Sequence, residues 1–121
     1  MAMTWRSRLE RRLVMENQFE VLTRKDDLSA FNGGSLKGYV KTDFKTLCKL
    51  FGPPTHGPFD PNGDKVTCEW RIVTDDGLLI TIYDWKLFET PMDEYDWHIG
   101  GHAFENIDWL NSFGLAAWKW R

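Results

Sequence analysis

The most regular hydrophobic pattern in the chain covers residues 65–86, where apolar and polar residues alternate on both sides of Asp75–Gly77. Alternation with a period of two predicts β-strands that bury one face. A three-residue turn at Asp75–Gly77, with the glycine in the left-handed conformation, places Ile72 opposite Ile80 on the apolar face. The other face then carries polar and aromatic side chains, namely Glu69, Arg71, Thr81, Tyr83 and Trp85.

A two-residue turn at Asp76-Gly77 is the alternative for this hairpin. It would pair Ile72 with Thr81 and mix apolar and polar residues on both faces. Because a shift of one residue moves every side chain of a strand to the other face, the pattern favours the three-residue turn. The sequence therefore predicts that Trp70 and Trp85 project from opposite faces of one sheet.

The clearest helix pattern covers residues 44–51, where apolar residues recur at positions i, i+3, i+4 and i+7. Thr42 is the expected N-cap, and Gly52, followed by two prolines, ends the helix. Further helices are expected over residues 4–20, where apolar residues recur every fourth position, and over residues 102–112.

Two more strands are predicted, over residues 36–41 and 96–100, the second of them antiparallel to one arm of the hairpin. These elements indicate an α+β fold: a small antiparallel sheet of three to four strands, covered on one face by two to three helices. The expected organisation is an N-terminal helical extension and loop over 1–32, the α+β domain over 33–114, and a C-terminal aromatic tail over 115–121.

Composition and charge narrow the class of protein. A chain of 121 residues fits one domain with its own core, and its net charge of −3 makes nucleic acid an unexpected partner. Its apolar runs are too short to span a membrane, and Cys48 and Cys68 are expected to be buried free thiols of a cytoplasmic protein. Seven tryptophans exceed what one small core needs, so some are expected at an interaction surface.

The polar and aromatic face of the sheet is the predicted binding surface. Aromatic rings stack on planar groups such as purines or peptides, and an arginine binds phosphate or carboxylate. A purely structural role, as cross-strand pairs that stabilise the sheet, explains the same residues. The predicted binding residues are Trp85, Tyr83, Arg71, Glu69 and His98.

Catalysis is the alternative use of this face. His98 with Asp84 or Asp96 would form an acid–base pair, but no serine or cysteine is placed as a nucleophile and no glycine-rich phosphate loop follows a strand. His98 and His102 have the spacing of metal ligands, yet two glycines separate them. The sequence therefore predicts neither a metal site nor a cofactor.

Four segments, LKGYV, CKLFGPP, KVTCEWRIVTDDGLLITIYDWK and DWHIGGH, occur in that order. Together they resemble a small family of uncharacterised phage proteins that share the IYDWK and WHIGG motifs. The resemblance covers about residues 35–110. It implies an accessory protein that acts in the cytoplasm of an infected bacterium, and it implies no reaction and no catalytic residues.

The leading functional hypothesis is a non-catalytic binder that inhibits a host protein or sequesters a small signalling molecule, with counter-defence as one purpose. A small hydrolase acting on a nucleotide or phosphoester, and a virion or assembly component, are the alternatives. An aromatic face of this size also favours a homodimer.

Overall fold

A computed structural model describes residues 19–61 and 64–120 of the protein. These residues form six strands and two α-helices, with one short 3-10 helix at Ser29–Phe31. In chain order the elements are β1 (Phe19–Val21), β2 (Ser35–Thr42), α1 (Phe44–Phe51), β3 (Glu69–Thr74), β4 (Leu79–Tyr83), β5 (Tyr95–Gly101), α2 (Glu105–Asn111) and β6 (Ala116–Lys119). The strands form one antiparallel sheet in the order β1-β3-β4-β5-β2-β6.

The predicted fold class is wrong in its proportions. Over the two described ranges the sheet has six strands rather than three to four, and it dominates two short helices. The additional strands are β1 and β6, the two edges. Phe19 and Glu20 belong to β1 rather than to the predicted helix over 4–20, whose other residues lie outside the described part. Strands of three and four residues are too short to show alternation, and each is held by a partner far away in the chain.

The predicted helix over residues 44–51 is confirmed, but its N-cap is not Thr42. Thr42 is the last residue of β2, and the cap is Asp43, whose carboxylate accepts a hydrogen bond from the Thr46 backbone N–H at 2.7 Å. Hydrogen bonding to Thr46 lowers the pKa of Asp43. The second helix, Glu105–Asn111, is shorter than the predicted 102–112.

The predicted register of the hairpin is confirmed. Ile72 pairs with Ile80, and Trp70 with Ile82. Gly77 closes the turn with φ +90°, a conformation that costs glycine little, and its N–H donates to the Thr74 carbonyl at 3.0 Å. The predicted antiparallel pairing of β5 with one hairpin arm is also confirmed, since β5 pairs with β4.

The core lies between one face of the sheet and the two helices. Trp70 and Trp97 are fully buried there, with their rings in edge contact at 5.5 Å. Each indole N–H donates to a backbone carbonyl: Trp70 to Gly52 at 2.9 Å and Trp97 to Thr42 at 3.2 Å. Since Thr42 precedes α1 and Gly52 follows it, these two bonds attach both ends of α1 to the sheet and leave neither indole unsatisfied.

Parts of both edges of the sheet have partners for their outward backbone groups. Past the end of β1, the Arg71 N–H of β3 donates to the Thr55 hydroxyl. His56 and Glu69 form an isolated antiparallel β-bridge along the same edge. On β6, the Asn111 side chain donates to the Ala117 carbonyl at 3.0 Å and accepts from the Ala117 N–H at 2.8 Å. Such capping makes an edge strand a poor template for another chain.

The two helices are short and the two cysteines are free. Neither helix in the described ranges has the length and apolarity needed to cross a bilayer. Cys68 is buried and Cys48 is half-buried, and both are free thiols. Burial raises the pKa of each thiol, so both stay protonated and unreactive at neutral pH.

Replacement of a core tryptophan tests this packing. We expect Trp97→Ala to lower the free energy of unfolding by about 3–5 kcal/mol, because it leaves a large cavity beneath the sheet. Trp120→Ala is the matched control, since this side chain is 51% exposed and its loss should cost less than about 1 kcal/mol. Urea unfolding followed by far-UV circular dichroism measures both, and equal losses would contradict the assigned core.

Candidate functional site

A single row of aromatic side chains crosses the sheet on the face opposite to the core. The strand register pairs Trp118 with Tyr39, Tyr39 with His98, and His98 with Tyr83. Beyond Tyr83 the next residue in register is Glu69. We call Trp118, Tyr39, His98 and Tyr83 the aromatic row. It spans four adjacent strands, or on the order of 15 Å at the usual strand spacing.

The rings of the aromatic row contact one another. Tyr39 and His98 have ring centroids 5.0 Å apart, His98 and Tyr83 5.3 Å, and Trp118 and Tyr39 5.8 Å. Trp85 joins the row at its far end, 6.3 Å from Tyr83 and 6.4 Å from His98. Trp118 and Trp85 are each 40% exposed, whereas the rings between them are half-buried. The row therefore has two accessible ends and a partly sheltered middle.

Trp85 occupies the face that the hairpin pattern predicts for it. Trp70 is fully buried in the core, while Trp85 lies on the other side of the sheet against Tyr83 and His98. The ladder between β3 and β4 continues past Tyr83, because the Asp84 N–H donates to the Cys68 carbonyl at 3.4 Å. The predicted projection of the two indoles from opposite faces is thus confirmed.

The 3-10 helix covers another part of the same face. Phe31 is buried there, with the Arg71 guanidinium 5.5 Å from its ring centroid. The His102 Nε2 atom lies 3.2 Å from the Ala30 carbonyl oxygen, which holds this helix against the end of β5. The buried apolar residues of α1 and α2 all join the core on the opposite face.

Arg71 and Glu69, two of the predicted binding residues, interact with each other. Arg71 Nε donates to Glu69 Oε1 at 3.1 Å, and both side chains are partly buried. In register, Glu69 lies opposite Tyr83 and Arg71 opposite Thr81. These contacts are the ones expected of cross-strand pairs that stabilise a sheet. Burial, with a contribution from the Glu69 charge, also raises the pKa of Tyr83.

His98 occupies the centre of the aromatic row. Its ring is half-buried, and its Nδ1 atom is buried without a hydrogen-bond partner in the described ranges. Burial lowers the pKa of His98, and the charges of Asp84 and Asp96 oppose that shift. The imidazole is therefore neutral at pH 7 and acts as a flat aromatic ring between two tyrosines.

Asp84 does not pair with His98. It is fully buried, and its carboxylate accepts hydrogen bonds from the Thr67 N–H at 2.7 Å, the Cys68 N–H at 3.1 Å and the Thr67 hydroxyl. The Thr67 hydroxyl also lies 2.7 Å from that of Thr90. Asp96, the other predicted acid–base partner, is exposed and lies opposite Lys41 in β2.

We call Asp84, Thr67 and Thr90 the Asp84 node, because these buried side chains join two loops. Thr90 Oγ1 accepts a further bond from the Phe59 N–H at 2.8 Å. The two loops carry several exposed apolar side chains, namely Phe59, Trp85, Phe88 and Met92. The node therefore sets the positions from which these side chains project.

Tyr39 and Trp118, and two lysines beside Trp85, were not among the predicted site residues. Lys65 Nζ and Lys86 Nζ each lie 5.9 Å from the centroid of the Trp85 ring. Alternation does place Tyr39 on the opposite face from buried Val40, so that signal is present in the sequence. Only the pairing of β2 with β5 brings this tyrosine next to His98.

Comparison with known proteins identifies no relative: neither a family model, nor a curated protein, nor a solved structure matches the chain. Within the described residues, no group of three or more His, Cys, Asp or Glu side chains is placed to hold a metal ion. The chemistry that this face offers is aromatic stacking, one neutral imidazole and the ammonium groups beside Trp85.

Removal of the Asp84 carboxylate tests the node. We expect Asp84→Ala to lower the free energy of unfolding by about 2–4 kcal/mol, because it leaves the Thr67 and Cys68 N–H groups buried without an acceptor. Asp93→Ala, in the same connection but exposed, should change it by less than about 0.5 kcal/mol. Urea unfolding of both variants measures the difference, and similar values would show that the node is not a structural element.

The depressed pKa of His98 makes stability depend on pH. In the unfolded chain a histidine titrates near pH 6.5, so below that pH the unfolded state binds a proton that the folded state resists. Stability should therefore fall as pH decreases from about 6.5 towards the lower folded-state pKa. The loss should be smaller in His98→Gln.

Urea unfolding between about pH 8 and pH 5 measures this dependence. Proton NMR titration of the His98 ring gives its folded-state pKa directly. A His98 pKa above that of a free histidine, or equal pH dependence in both proteins, would contradict the prediction.

Proposed function

We propose that the protein is a non-catalytic binding protein and that the aromatic row is its contact surface. The observation that carries this proposal is the continuous chain of ring contacts from Trp118 to Trp85, on the face opposite to α1 and α2. Rings in such a row offer large contact area at little cost in side-chain entropy. Large accessible aromatic patches are uncommon on soluble domains unless they bind something.

The rigidity of the surface supports binding. The central rings are packed against each other across the strands, and the loop that carries Trp85 is fixed by the Asp84 node. A surface that is already in its binding conformation loses less entropy when a ligand arrives. The contacts of His98 also favour binding over catalysis, because the Asp84 carboxylate is bonded to Thr67 and Cys68 instead.

The biological setting that we propose follows from the resemblance to phage proteins. The protein would act in the cytoplasm of an infected bacterium, where its occupant is a host protein or a small signalling molecule. Occupying either of them would counter a host defence. At the β6 edge, Asn111 already bonds the outward groups of Ala117, which supports recognition through the face.

Variants of the aromatic row test the proposed function. Tagged full-length protein is incubated with bacterial lysate, and the retained proteins and heat-released small molecules are identified by mass spectrometry. Affinity for each retained component is then measured with the purified component. We expect Trp118→Ala and Tyr39→Ala each to weaken binding about tenfold or more, as for central aromatic contacts.

Phe104→Ala is the matched control, because Phe104 is 44% exposed and contacts Lys37 and Lys119 rather than the aromatic row. Its binding should equal that of the wild type. Equal losses in all three variants would contradict the proposal. So would turnover of a nucleotide or phosphoester that disappears in His98→Ala while Tm stays unchanged.

A further inference from the structure

Two ammonium groups lie beside the exposed indole of Trp85. Lys65 Nζ and Lys86 Nζ are both 5.9 Å from the centroid of this ring, one from each of the loops that the Asp84 node joins. Each ammonium is attracted to the face of the indole. Together they raise the electrostatic potential around a single aromatic ring, and a positive potential attracts an anionic group.

The backbone holds the two lysines together. The Lys86 N–H donates to the Lys65 carbonyl at 2.7 Å. Lys86 also has φ +57°, in the left-handed region that residues other than glycine adopt infrequently. Strained conformations of this kind concentrate at ligand sites, where the surrounding structure maintains them. The relative position of the lysines is thus determined by the fold.

The aromatic rings beside these lysines provide a surface for stacking. Trp85 is 40% exposed, and Tyr83 and His98 contact it from the sheet. A planar base that stacks on Trp85 would extend over the neutral His98 ring. Aromatic rings bordered by cationic side chains bind single-stranded nucleic acid through its bases and phosphates, and a single nucleotide presents the same two groups.

Among the described residues, two other cations on this face have neighbours of their own. Arg71 is bonded to Glu69 and lies against Phe31. Lys41 lies opposite Asp96 in the neighbouring strand. In the described part of the chain, the cationic groups positioned at Trp85 are therefore the two lysines. The sequence pattern assigns phosphate or carboxylate binding to Arg71, and the two lysines take that role here.

We infer that the Trp85 end of the aromatic row binds a nucleoside phosphate, with the base stacked on Trp85 and the phosphate contacted by Lys65 and Lys86. The inference rests on the proposed function and names the class of ligand. A free nucleotide and a single-stranded nucleic acid share this chemistry. The free nucleotide fits better, because the net charge is −3 and exposed acidic residues follow Trp85, namely Glu89, Asp93, Glu94 and Asp96, which repel a polyanion.

The experiment is a titration of the full-length protein with the four common ribonucleoside monophosphates and triphosphates. Isothermal calorimetry and quenching of tryptophan fluorescence report binding. Adenosine and ribose 5-phosphate supply the base and the phosphate separately, and a ten-nucleotide DNA oligomer supplies the polymer. We expect at least one nucleotide to bind saturably. Both half-ligands should bind about tenfold more weakly, and the oligomer no more tightly than the nucleotide.

Substitutions separate the two parts of the site. Trp85→Ala should weaken nucleotide binding about tenfold or more, while Trp85→Phe, which retains an aromatic ring, should weaken it less than about fivefold. Lys65→Gln and Lys86→Gln should each weaken it about fivefold and reduce its dependence on salt. Lys45→Gln, an exposed lysine on α1, is the control and should bind as the wild type does. Circular dichroism verifies that each variant is folded.

Three outcomes would overturn the inference: no binding of any nucleotide at millimolar concentration, binding that is unaffected by both lysine substitutions, or tighter binding of the oligomer. The proposed function is tested separately by Trp118→Ala and Tyr39→Ala. If a host protein binds in a manner that depends on those two residues while no nucleotide binds, the inference fails and the proposed function remains.

Discussion

The register between β3 and β4 is the constraint on which both faces of the sheet depend. With Ile72 opposite Ile80, alternate side chains of the hairpin enter the core and the others form the opposite face. A shift of one residue would turn one strand over relative to the other, and Trp70 and Trp85 would then lie on the same face. The turn closed by Gly77 and the packing of the isoleucines act in the same direction, so local and tertiary preferences agree.

Polar groups at the ends of the sheet convert this two-faced layer into a rigid surface. The indole N–H groups of Trp70 and Trp97 donate to backbone carbonyls on either side of α1, and these bonds fix the helix over the core face. At the other end of the hairpin, Asp84 is a buried carboxylate with donors from Thr67 and Cys68. Burying a carboxylate costs free energy unless its oxygens accept hydrogen bonds from the protein. A buried carboxylate whose hydrogen bonds are all made also fixes the positions of the loops that supply the donors. The rings of the aromatic row contact one another, and the Asp84 node joins the two loops that carry Trp85 and the lysines beside it. For these reasons we interpret the face as a preformed binding surface.

Local patterns were sufficient for about half of the fold and for part of the site. The helix over 44–51 and the hairpin follow from periodicities that depend only on neighbouring residues. The sequence also places Trp85, Tyr83 and His98 on one face, and they are in contact there. It does not show that Asp84 is bonded to Thr67 and Cys68 rather than to His98, because those partners belong to a segment that packs against the hairpin end from elsewhere in the chain.

The sequence by itself determined which side of each central strand is apolar, since side-chain direction alternates with the local backbone whatever the neighbours are. Only the tertiary structure decided the strand order, which sets Tyr39 beside His98 and Trp118 beside Tyr39. It also decided that the short segments Phe19–Val21 and Ala116–Lys119 are strands. The physical reason is that neighbours in a sheet are selected by hydrogen bonds and packing between residues far apart in the chain, and periodicity carries no information about such pairs.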